Sequence, residues 1–515
     1  MTFCCKPLFL WLNSQPIQFM KITDISTLGA LKTSGYRTKS VKEELRNNLI
    51  ERIKNRIPLF QGIIGYDKTV IPDLERAILS KHNLIFLGLR GQAKTRLARL
   101  MIQLLDEFVP VVKGSELNDD PFNPISRFAK DILEEMGDDT PVTWMHQSER
   151  YTEKLATPDV SVADLIGDAD PIKAANLHLN YSDERVIHFG LVPRANRGIF
   201  VINELPDLQA RIQVSLFNIL QEGDIQIRGF KVRLPLDIQF VFTANPEDYT
   251  NRGSIVTPLK DRIESQILTH YPPTIEMSKA ITEQEAKLPE IQRSAIAINN
   301  LAKDLIEQIS FEARKSEFID SKSGVSARLS ITAMENLMSA AERRILINGE
   351  TQTQIRVGDF WGVIPSITGK IELVYEGEQE GPFIVAQNLI GKAIRSLFIR
   401  YFPNPEEQKR KKQRNIYQPV IDWFGQGNDS LIGNDISNIE YRHSLFNIGG
   451  LMDIVDKYYP QIVESEKLFL MEFLLHGLAE FSLIGKSPVH AGFAFQDLLN
   501  SMFQINSSDT NNDDE

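Results

Sequence analysis

Residues 84–97 read Leu-Ile-Phe-Leu-Gly-Leu-Arg-Gly-Gln-Ala-Lys-Thr-Arg-Leu. Its four leading apolar residues predict a buried strand, a turn of small residues follows, and Lys94-Thr95 begins a helix. In such a turn, backbone N–H groups converge on phosphate oxygens at the helix N-terminus, where the helix dipole also favours an anion. The stretch therefore predicts a phosphate-binding loop in which Lys94 reaches the β- and γ-phosphates and Thr95 holds Mg²⁺.

One position of this loop departs from the usual pattern G-x-x-x-x-G-K-[ST]. Gly88, Lys94 and Thr95 match the pattern, but Ala93 stands where its last glycine belongs. Alanine tolerates a positive φ poorly, so Ala93 puts the loop geometry in question. A chance strand–turn–helix junction that contains a lysine is the alternative for this motif taken alone. The predicted nucleotide-binding residues are Gly88, Leu89, Arg90, Gly91, Gln92, Ala93, Lys94, Thr95 and Arg96.

Length and composition limit the classes of protein that fit this chain. Its 515 residues exceed one ordinary domain, and 42% hydrophobic residues can build large cores. A net charge of -11 argues against a surface devoted to nucleic acid. The two cysteines are the adjacent Cys4 and Cys5, which fits a reducing cytoplasm. No apolar run reaches the roughly 18 residues of a membrane helix, so we expect a soluble, cytoplasmic protein without membrane insertion.

Strand and helix patterns alternate through the first half of the chain. Short apolar strands are predicted at 199–202 and 238–243, with a helical pattern between them at 208–221. Together with the strand at 84–87 they predict a parallel α/β sheet. Two alternating runs about Gly229 predict a β-hairpin inserted before the strand at 238–243.

The composition changes at Pro272-Pro273, after which strand patterns disappear and helical patterns dominate. The predicted helical segments are 290–315, 327–347, 383–401 and 466–484. The basic run Lys409–Arg414 is expected to be an exposed loop. We therefore predict four parts: an N-terminal extension at 1–40, a nucleotide-binding αβα domain at 41–272, a helical lid domain at 273–355, and a mostly helical C-terminal region with an acidic tail at 356–515.

A second acidic motif ends the strand at 199–202. Asn203 and Glu204 stand where such a motif would face the nucleotide across the sheet, supplying a Mg²⁺ contact and a base that polarises the attacking water. Glu204 suits the second role. Asn203 occupies the usual place of an aspartate, so its contact with the metal would be a neutral amide or mediated by water, and hydrolysis would be slow. The alternative is a buried strand whose Glu204 caps the next helix.

Three further residues complete the predicted site. Asn245 follows the strand at 238–243, and ligands bind at the carboxyl ends of strands in open α/β sheets, so its amide would orient the lytic water. As an isolated Asn-Pro it would only make a turn. Arg262 would stabilise phosphoryl charge in the site of a neighbouring subunit, and Arg328 would reach the γ-phosphate from the following domain. Each arginine taken alone fits an ordinary surface or helix-start position better, and it is their order in the chain that favours the site.

These motifs together resemble the AAA+ ATPases, and in particular the magnesium chelatase ATPase-subunit and MoxR-like branch, over about residues 60–350. The segments 158–171 and 188–200 are similar to the insertion of that branch. The resemblance implies a P-loop AAA+ αβα sandwich with a parallel sheet and β-hairpin insertions, followed by an all-α lid and an additional C-terminal helical region. It assigns residues 88–95 to Walker A, Asn203 and Glu204 to Walker B, Asn245 to sensor 1, Arg262 to the arginine finger and Arg328 to sensor 2.

The function that the resemblance implies is an ATP- and Mg²⁺-dependent ring motor, commonly a hexamer, that remodels a protein partner. Its task would be metal insertion or metallocentre maturation, together with a partner that carries a von Willebrand A-type domain. A DNA-directed motor is one alternative, because the hairpin carries Arg228, Lys231 and Arg233. A transcription activator is disfavoured, since the Gly-Ala-Phe-Thr-Gly-Ala loop of that branch is absent. A nucleotide-binding scaffold with little turnover is the third alternative, and Asn203 is the strongest argument for it.

Overall fold

A computed structural model describes residues 22–180, 183–227, 230, 233–246, 254–410, 415–489 and 492–498. Its strands, in chain order, are β1 (Leu84–Leu87), β2 (Phe108–Val112), β3 (Val142–His146), β4 (Tyr151–Leu155), β5 (Gly167–Ala169), β6 (Ile187–Phe189), β7 (Gly198–Asn203), β8 (Asp224–Gln226), β9 (Arg233–Pro235), β10 (Ile238–Ala244), β11 (Ser265–Leu268), β12 (Ile296–Ala297), β13 (Thr353–Gln354), β14 (Ser430–Gly433), β15 (Gly485–Val489) and β16 (Gly492–Gln496).

The α-helices divide into two sets at Pro272-Pro273. Those before it are Leu28–Thr33, Val41–Lys54, Val70–Leu79, Lys94–Leu100, Arg127–Met136, Val162–Leu165, Pro171–Leu177, Leu191–Arg194, Ala210–Ser215, Phe217–Glu222 and Thr257–Asp261. Those after it are Ile275–Glu285, Glu290–Ala295, Asn300–Lys315, Arg328–Asn348, Ile364–Thr368, Tyr375–Glu380, Pro382–Tyr401, Pro405–Arg410, Gln418–Gly425, Asn438–Phe446, Leu451–Tyr458 and Glu464–Glu480. Within the described ranges, none of these helices is both long enough and apolar enough to cross a membrane.

A five-stranded parallel sheet forms the centre of the N-terminal half, in the order β11-β1-β10-β7-β4. Every residue of β1, β7 and β10 is buried. Parallel sheets are covered on both faces, so their inner strands are continuous apolar runs rather than alternating ones. The predicted parallel α/β sheet is confirmed, and all of its strands end at the same edge.

Helices cover both faces of this sheet. Side chains of successive strand residues point to opposite faces, so Leu84 and Phe86 join the core beneath the helices Val41–Lys54, Val70–Leu79 and Lys94–Leu100. Ile85 and Leu87 join the opposite core, which contains Phe200, Ile202, Phe240 and Phe242. The fold is therefore the αβα sandwich that the sequence predicts.

Most predicted elements of this half occur with small shifts. The helix Val41–Lys54 begins at a capping box in which the Ser40 hydroxyl accepts from the Glu43 N–H and the Glu43 carboxylate accepts from the Ser40 N–H. The helical pattern at 208–221 is two short helices rather than one. The predicted hairpin is the antiparallel pair β8–β9, whose turn residue Gly229 lies outside the described residues.

The edge strand β4 and the antiparallel pair β2–β3 were not predicted from the sequence. The antiparallel pair β5–β6 belongs to the β-hairpin insertions that the resemblance implies. None of the β4 residues, Tyr-Thr-Glu-Lys-Leu, is fully buried. Such a half-exposed polar segment lacks the apolar run that identifies an inner strand. It becomes a strand through its pairing with β7, which the local sequence does not reveal. Residues 25–28 extend the β2–β3 hairpin, where the Val142 N–H donates to the Ser26 carbonyl at 2.8 Å.

The expectation that strands disappear after Pro272-Pro273 is wrong. β12 and β13 form a short parallel pair, and β14, β16 and β15 form an antiparallel sheet. The pair has only two residues in each strand, and the antiparallel sheet contains Gly433, Gly485, Pro488 and Gly492, which resemble loop residues in a sequence. The segment 290–315 is also broken, because Asn299 caps a new helix by accepting from the Ala302 N–H at 2.7 Å.

One hydrophobic cluster runs from Ala286 to Phe495 and unites the lid helices with the C-terminal region. The helix Glu464–Glu480 lies inside it, with every residue from Leu468 to Leu478 buried. The predicted boundary between a lid at 273–355 and a region at 356–515 stays a prediction. In the basic run, Lys409 and Arg410 end a short helix and are exposed, while 411–414 and the acidic tail lie outside the described residues.

Asp237 predicts a pH dependence of folding. Its carboxylate accepts from the Val41 N–H at 2.8 Å, and burial raises the pKa of this carboxyl to about 6. The folded chain then holds a proton that the unfolded chain loses near pH 4, so stability present below pH 4 is lost as the pH rises through 6. We expect the free energy of unfolding of Asp237→Asn, relative to that of the wild type, to rise by about 2–3 kcal/mol as the pH is raised from 4 to 7.

Urea unfolding of both proteins at the two pH values measures this difference. Asp139→Asn is the matched control, because Asp139 is exposed. A stability difference between Asp237→Asn and the wild type that does not change with pH would contradict the prediction.

Candidate functional site

The turn after β1 contains two residues in the left-handed region, Gly91 and Ala93. Ala93 is the N-cap of the helix Lys94–Leu100 and has φ +56° and ψ +18°, the left-handed conformation that a glycine adopts freely. Gly91 has φ +74°, and a Cβ at this position would collide with the Ser326 side chain. Ala93 therefore takes the left-handed conformation that a glycine at this position would adopt without strain.

Lys94 lies at the centre of the predicted site and is 7% exposed. Its ammonium group donates to the carbonyl of Leu89 at 3.1 Å, to the carbonyl of Gly88, and to the Asn245 amide oxygen at 2.6 Å. The last contact joins the loop after β1 to the residue that follows β10. Gly88 and Leu89 thus contribute carbonyl oxygens that hold the lysine.

Glu204 is joined to the same group of side chains. The Asn245 amide donates to the Glu204 carboxylate at 3.0 Å, and the Glu204 N–H donates to the Thr243 hydroxyl at 3.2 Å. Glu204 has φ +55° and precedes the 3₁₀ helix Leu205–Asp207 without capping it through its side chain. The alternative in which the Glu204 side chain only caps the next helix therefore does not hold. An ammonium, an amide and a carboxylate meet where three segments of chain leave the sheet.

Thr95 and Asn203 form the second part of the site. The amide oxygen of Asn203 accepts from the Thr95 hydroxyl at 3.3 Å and from the Thr243 hydroxyl at 3.1 Å. The amide nitrogen of Asn203 donates to the Glu153 carboxylate at 2.7 Å. Glu153 belongs to β4 and was not predicted. In the part of the chain that the structure describes, no group of three or more His, Cys, Asp or Glu side chains could hold a metal ion by itself.

Lys94, Thr95, Glu204 and Asn245 open into a cleft of about 810 Å³, whereas Asn203 and Glu153 lie behind Thr95 and are not part of its lining. The predicted residues that line it are Arg90, Gly91, Gln92, Ala93, Lys94, Thr95, Arg96, Glu204, Asn245 and Arg328; Arg99 and Asp207 also line it and were not predicted. A second cavity of about 200 Å³ shares Gly91, Gln92, Ala93, Arg96 and Arg328 with it. That cavity is mostly apolar, with Ile63, Ile64, Tyr66, Ile281 and Ile331 in its wall. The two spaces form one site with a polar end and an apolar end.

Residues outside the loop hold it in place. The buried Tyr66 hydroxyl donates to the carbonyls of Gln92 at 3.0 Å and His270 at 2.8 Å, and burial raises the pKa of Tyr66, so the phenol stays protonated. Arg90 pairs with Glu372 at 2.6 Å. Arg96 pairs with Glu285, and hydrogen bonds from Gln284 and Arg96 lower the pKa of that carboxyl. The loop is thus tied to His270 just after β11, to the end of the helix Ile275–Glu285 and to Glu372.

The two predicted arginines occupy different places. Arg328 begins the helix Arg328–Asn348, is exposed and lines both cavities. Arg262 does not line either of them. Its guanidinium donates to the Gln221 side chain at 2.8 and 3.0 Å and to the Pro258 carbonyl at 2.7 Å, and lies 5.0 Å from the centre of the Phe217 ring. Its predicted role in the site of a neighbouring subunit stays a prediction.

A parallel αβα sheet with a phosphate-type loop after β1 and a polar cluster after β7 and β10 is the fold of the AAA+ class of P-loop ATPases. The family model described as the Sigma-54 interaction domain matches residues 180–266, which run from the insertion before β7 into β11. This segment contains Asn203, Glu204, Asn245 and Arg262. The magnesium chelatase and MoxR-like branch stays a prediction.

Among solved structures, NtrX from Brucella abortus is 13% identical, with a TM-score of 0.34 over 71% of this chain and 70% of that one. The complex between subunits BchI and BchD of magnesium chelatase gives 19% identity and a TM-score of 0.32 over 62% of this chain and 98% of the matched one. A putative ATPase from Cytophaga hutchinsonii is 17% identical, with a TM-score of 0.28 over 71% of this chain and 98% of the matched one. Similarities of this size carry no argument about activity.

The left-handed Ala93 predicts an unusual response to glycine. Ala93→Gly removes a left-handed alanine that costs about 1–2 kcal/mol, and the freer unfolded chain of a glycine gives back about 0.4–1 kcal/mol. We therefore expect Ala93→Gly to be neutral or stabilising by up to about 1.5 kcal/mol in thermal unfolding. In contrast, Ala30→Gly, at an exposed position of the helix Leu28–Thr33, should cost about 1 kcal/mol. Equal losses in the two variants would contradict a strained Ala93.

Proposed function

We propose that this chain binds and hydrolyses Mg·ATP as a ring-forming AAA+ motor that remodels a protein partner. The observation that carries the proposal is the hydrogen-bonded series Lys94–Asn245–Glu204 at the polar end of the cleft. It places a cation for phosphate beside a carboxylate that can act on water.

A triphosphate fits the polar end of the cleft. Positive charge comes from Lys94, Arg96, Arg99 and Arg328, and the N–H groups at the start of the helix Lys94–Leu100 favour an anion. The contacts of Lys94 to two carbonyls and an amide oxygen are of the kind that phosphate oxygens would replace. The adjoining apolar cavity beside Tyr66 and Ile331 suits a flat purine base.

The residues present also fit a magnesium ion bound with the nucleotide. Thr95 and Asn203 offer a hydroxyl and an amide oxygen 3.3 Å apart at the end of the loop, and Mg²⁺ prefers oxygen ligands shared with substrate phosphates. When bound, the ion neutralises charge on the β- and γ-phosphates. Thr95 and Asn203 would hold it, with water completing its shell.

Glu204 is the proposed base. Its carboxylate, held by the Asn245 amide, would accept the proton of the attacking water, while Asn245 orients that water. Arg328 would stabilise charge on the γ-phosphate from the lid side. Arg262 lies outside its own cleft, which supports its action on the nucleotide of an adjacent subunit in a ring.

The magnesium chelatase-like or MoxR-like role, the hexamer, the von Willebrand A-domain partner and the cytoplasmic location rest on the sequence resemblance and composition. For the DNA-directed alternative, Arg228 and Lys231 lie outside the described residues, and the described cation Arg233 faces Asp224 at 3.5 Å. No observation on the described residues favours DNA. The scaffold with little turnover differs from the motor only in the rate of hydrolysis.

Two variants separate binding from turnover. Lys94→Ala should weaken ATP binding and abolish hydrolysis, because it removes the cation at the phosphates. Glu204→Gln should bind ATP as tightly as the wild type while hydrolysing it about 10²–10⁴-fold more slowly, because it keeps the size and the hydrogen bond but cannot take a proton. Phosphate release and equilibrium binding of ATP measure the two effects. Wild-type hydrolysis no faster than that of Lys94→Ala would contradict the motor and leave the scaffold.

A mixing experiment tests the shared site. Arg262→Ala and Lys94→Ala should each be inactive alone, since one lacks the arginine offered to a neighbour and the other cannot hold ATP. In a mixture, a Lys94→Ala subunit still offers Arg262 to the intact loop of an Arg262→Ala subunit. We expect activity to appear on mixing and to peak near equal amounts. A mixture as inactive as its components would show that Arg262 does not act across subunits.

A further inference from the structure

Replacing the usual aspartate by Asn203 leaves the metal side of the proposed site short of negative charge. In P-loop ATPases this position supplies a carboxylate beside Mg²⁺. Here its side chain is a neutral amide, and its partner Thr95 is also neutral. The other carboxylate of this motif, Glu204, accepts from Asn245 and belongs to the water side of the site. Asp207 also lines the cleft, and the strand beside β7 offers a further carboxylate close to Asn203.

The neighbouring strand β4 brings such a charge. β4 pairs with β7 so that Glu153 lies opposite Val201 and Leu155 opposite Asn203. The Glu153 carboxylate accepts from the Asn203 amide nitrogen at 2.7 Å, the shortest contact that Asn203 makes among those described. The Glu153 side chain is 23% exposed, so this hydrogen bond is largely shielded from water. A carboxylate thus lies in hydrogen-bond contact with residue 203 instead of being part of it.

The contact with Glu153 also fixes which way the Asn203 amide points. The amide oxygen of Asn203 accepts from the hydroxyls of Thr95 and Thr243, and its nitrogen faces the carboxylate. Were the amide reversed, its oxygen would face Glu153, and two acceptors would meet with no proton between them. Glu153 therefore keeps the amide oxygen directed at Thr95. A carboxylate that accepts from an amide also makes the amide oxygen a better ligand.

The other partners of Glu153 leave this role in place. The Tyr151 hydroxyl donates to its second oxygen at 3.1 Å, and burial raises the pKa of Tyr151, so that hydroxyl stays protonated. Arg99 lies 2.9 Å from the same oxygen, but its side chain is 62% exposed, and such pairs are weak. The oxygen that faces Asn203 receives neither of these two contacts.

We propose that Glu153 is the positioning residue of the metal side: it directs the Asn203 amide oxygen at Thr95 and supplies the negative charge that an aspartate at position 203 would have brought. This inference rests on the proposed function, because it concerns the ion that accompanies ATP. It assigns to β4 a task that the strand order alone does not reveal. It also makes residues 153 and 203 one functional unit whose charge can sit on either member.

The test is a charge exchange between the two positions, measured with a fluorescent ATP analogue. Glu153→Gln should raise the Mg²⁺ concentration for half-maximal binding by about tenfold or more, since loss of such outer contacts costs 10–100-fold in metal affinity. Binding without metal, in EDTA, should stay within about twofold of the wild type. Adding Asn203→Asp to Glu153→Gln should return the Mg²⁺ requirement to about the wild-type value. Asn203→Asp alone should not lower the Mg²⁺ requirement below that of the wild type, because its carboxylate and that of Glu153 would repel each other.

Controls separate the possible failures. Glu134→Gln, at an exposed helix position, should leave the Mg²⁺ requirement unchanged. The rescue by Asp at position 203 distinguishes charge from folding, since a misfolded Glu153→Gln protein would not be repaired by a second substitution. An unchanged Mg²⁺ requirement in Glu153→Gln, or a double variant no better than Glu153→Gln, overturns the inference and leaves the proposed function standing. A wild type that binds no nucleotide with or without Mg²⁺ overturns both.

Discussion

The site depends on the parallel alignment of three buried strands. Leu87 lies opposite Ala244 and Phe242 opposite Ile202, so the chain leaves β1, β10 and β7 at one edge of the sheet. Residues that are far apart in sequence then come within hydrogen-bond distance. The alignment is well determined because both faces of these strands are buried: a slip by one residue would exchange the two cores and turn Asn245 away from Lys94.

The sequence predicts the parts of the fold that are locally coded. β1 and residues 199–202 of β7 are continuous apolar runs, β10 is apolar apart from Gln239 and Thr243, and the phosphate loop has a fixed spacing of Gly88, Lys94 and Thr95. The polar edge strand β4 has no such signal, since Tyr-Thr-Glu-Lys becomes a strand only through pairing with β7. Glu153 was missed for that reason. The one signal that could have led to Glu153 was Asn203, a neutral residue where an aspartate is usual, because it directs attention to carboxylates on neighbouring strands.

Two residues break local rules, and both lie where the nucleotide would bind. Ala93 takes a backbone conformation that disfavours a side chain, and Asn203 lacks the charge usual at its position. Departures of this kind are expected at functional sites, where surrounding structure holds what local preference would not. The loop around Ala93 is fixed by Tyr66, and the amide of Asn203 by two hydroxyls and a carboxylate. Neighbouring residues that sequence spacing alone cannot identify thus hold the strained loop and the neutral amide in place.

The ion pair between Arg90 and Glu372 gives the C-terminal region a direct connection to the phosphate loop. That region shares one hydrophobic cluster with the helices Asn300–Lys315 and Arg328–Asn348. The side chains of Arg90 and Glu372 are both about half exposed, and exposed ion pairs contribute only about 0–1 kcal/mol. Breaking this contact therefore costs little free energy, and it leaves the shared cluster intact.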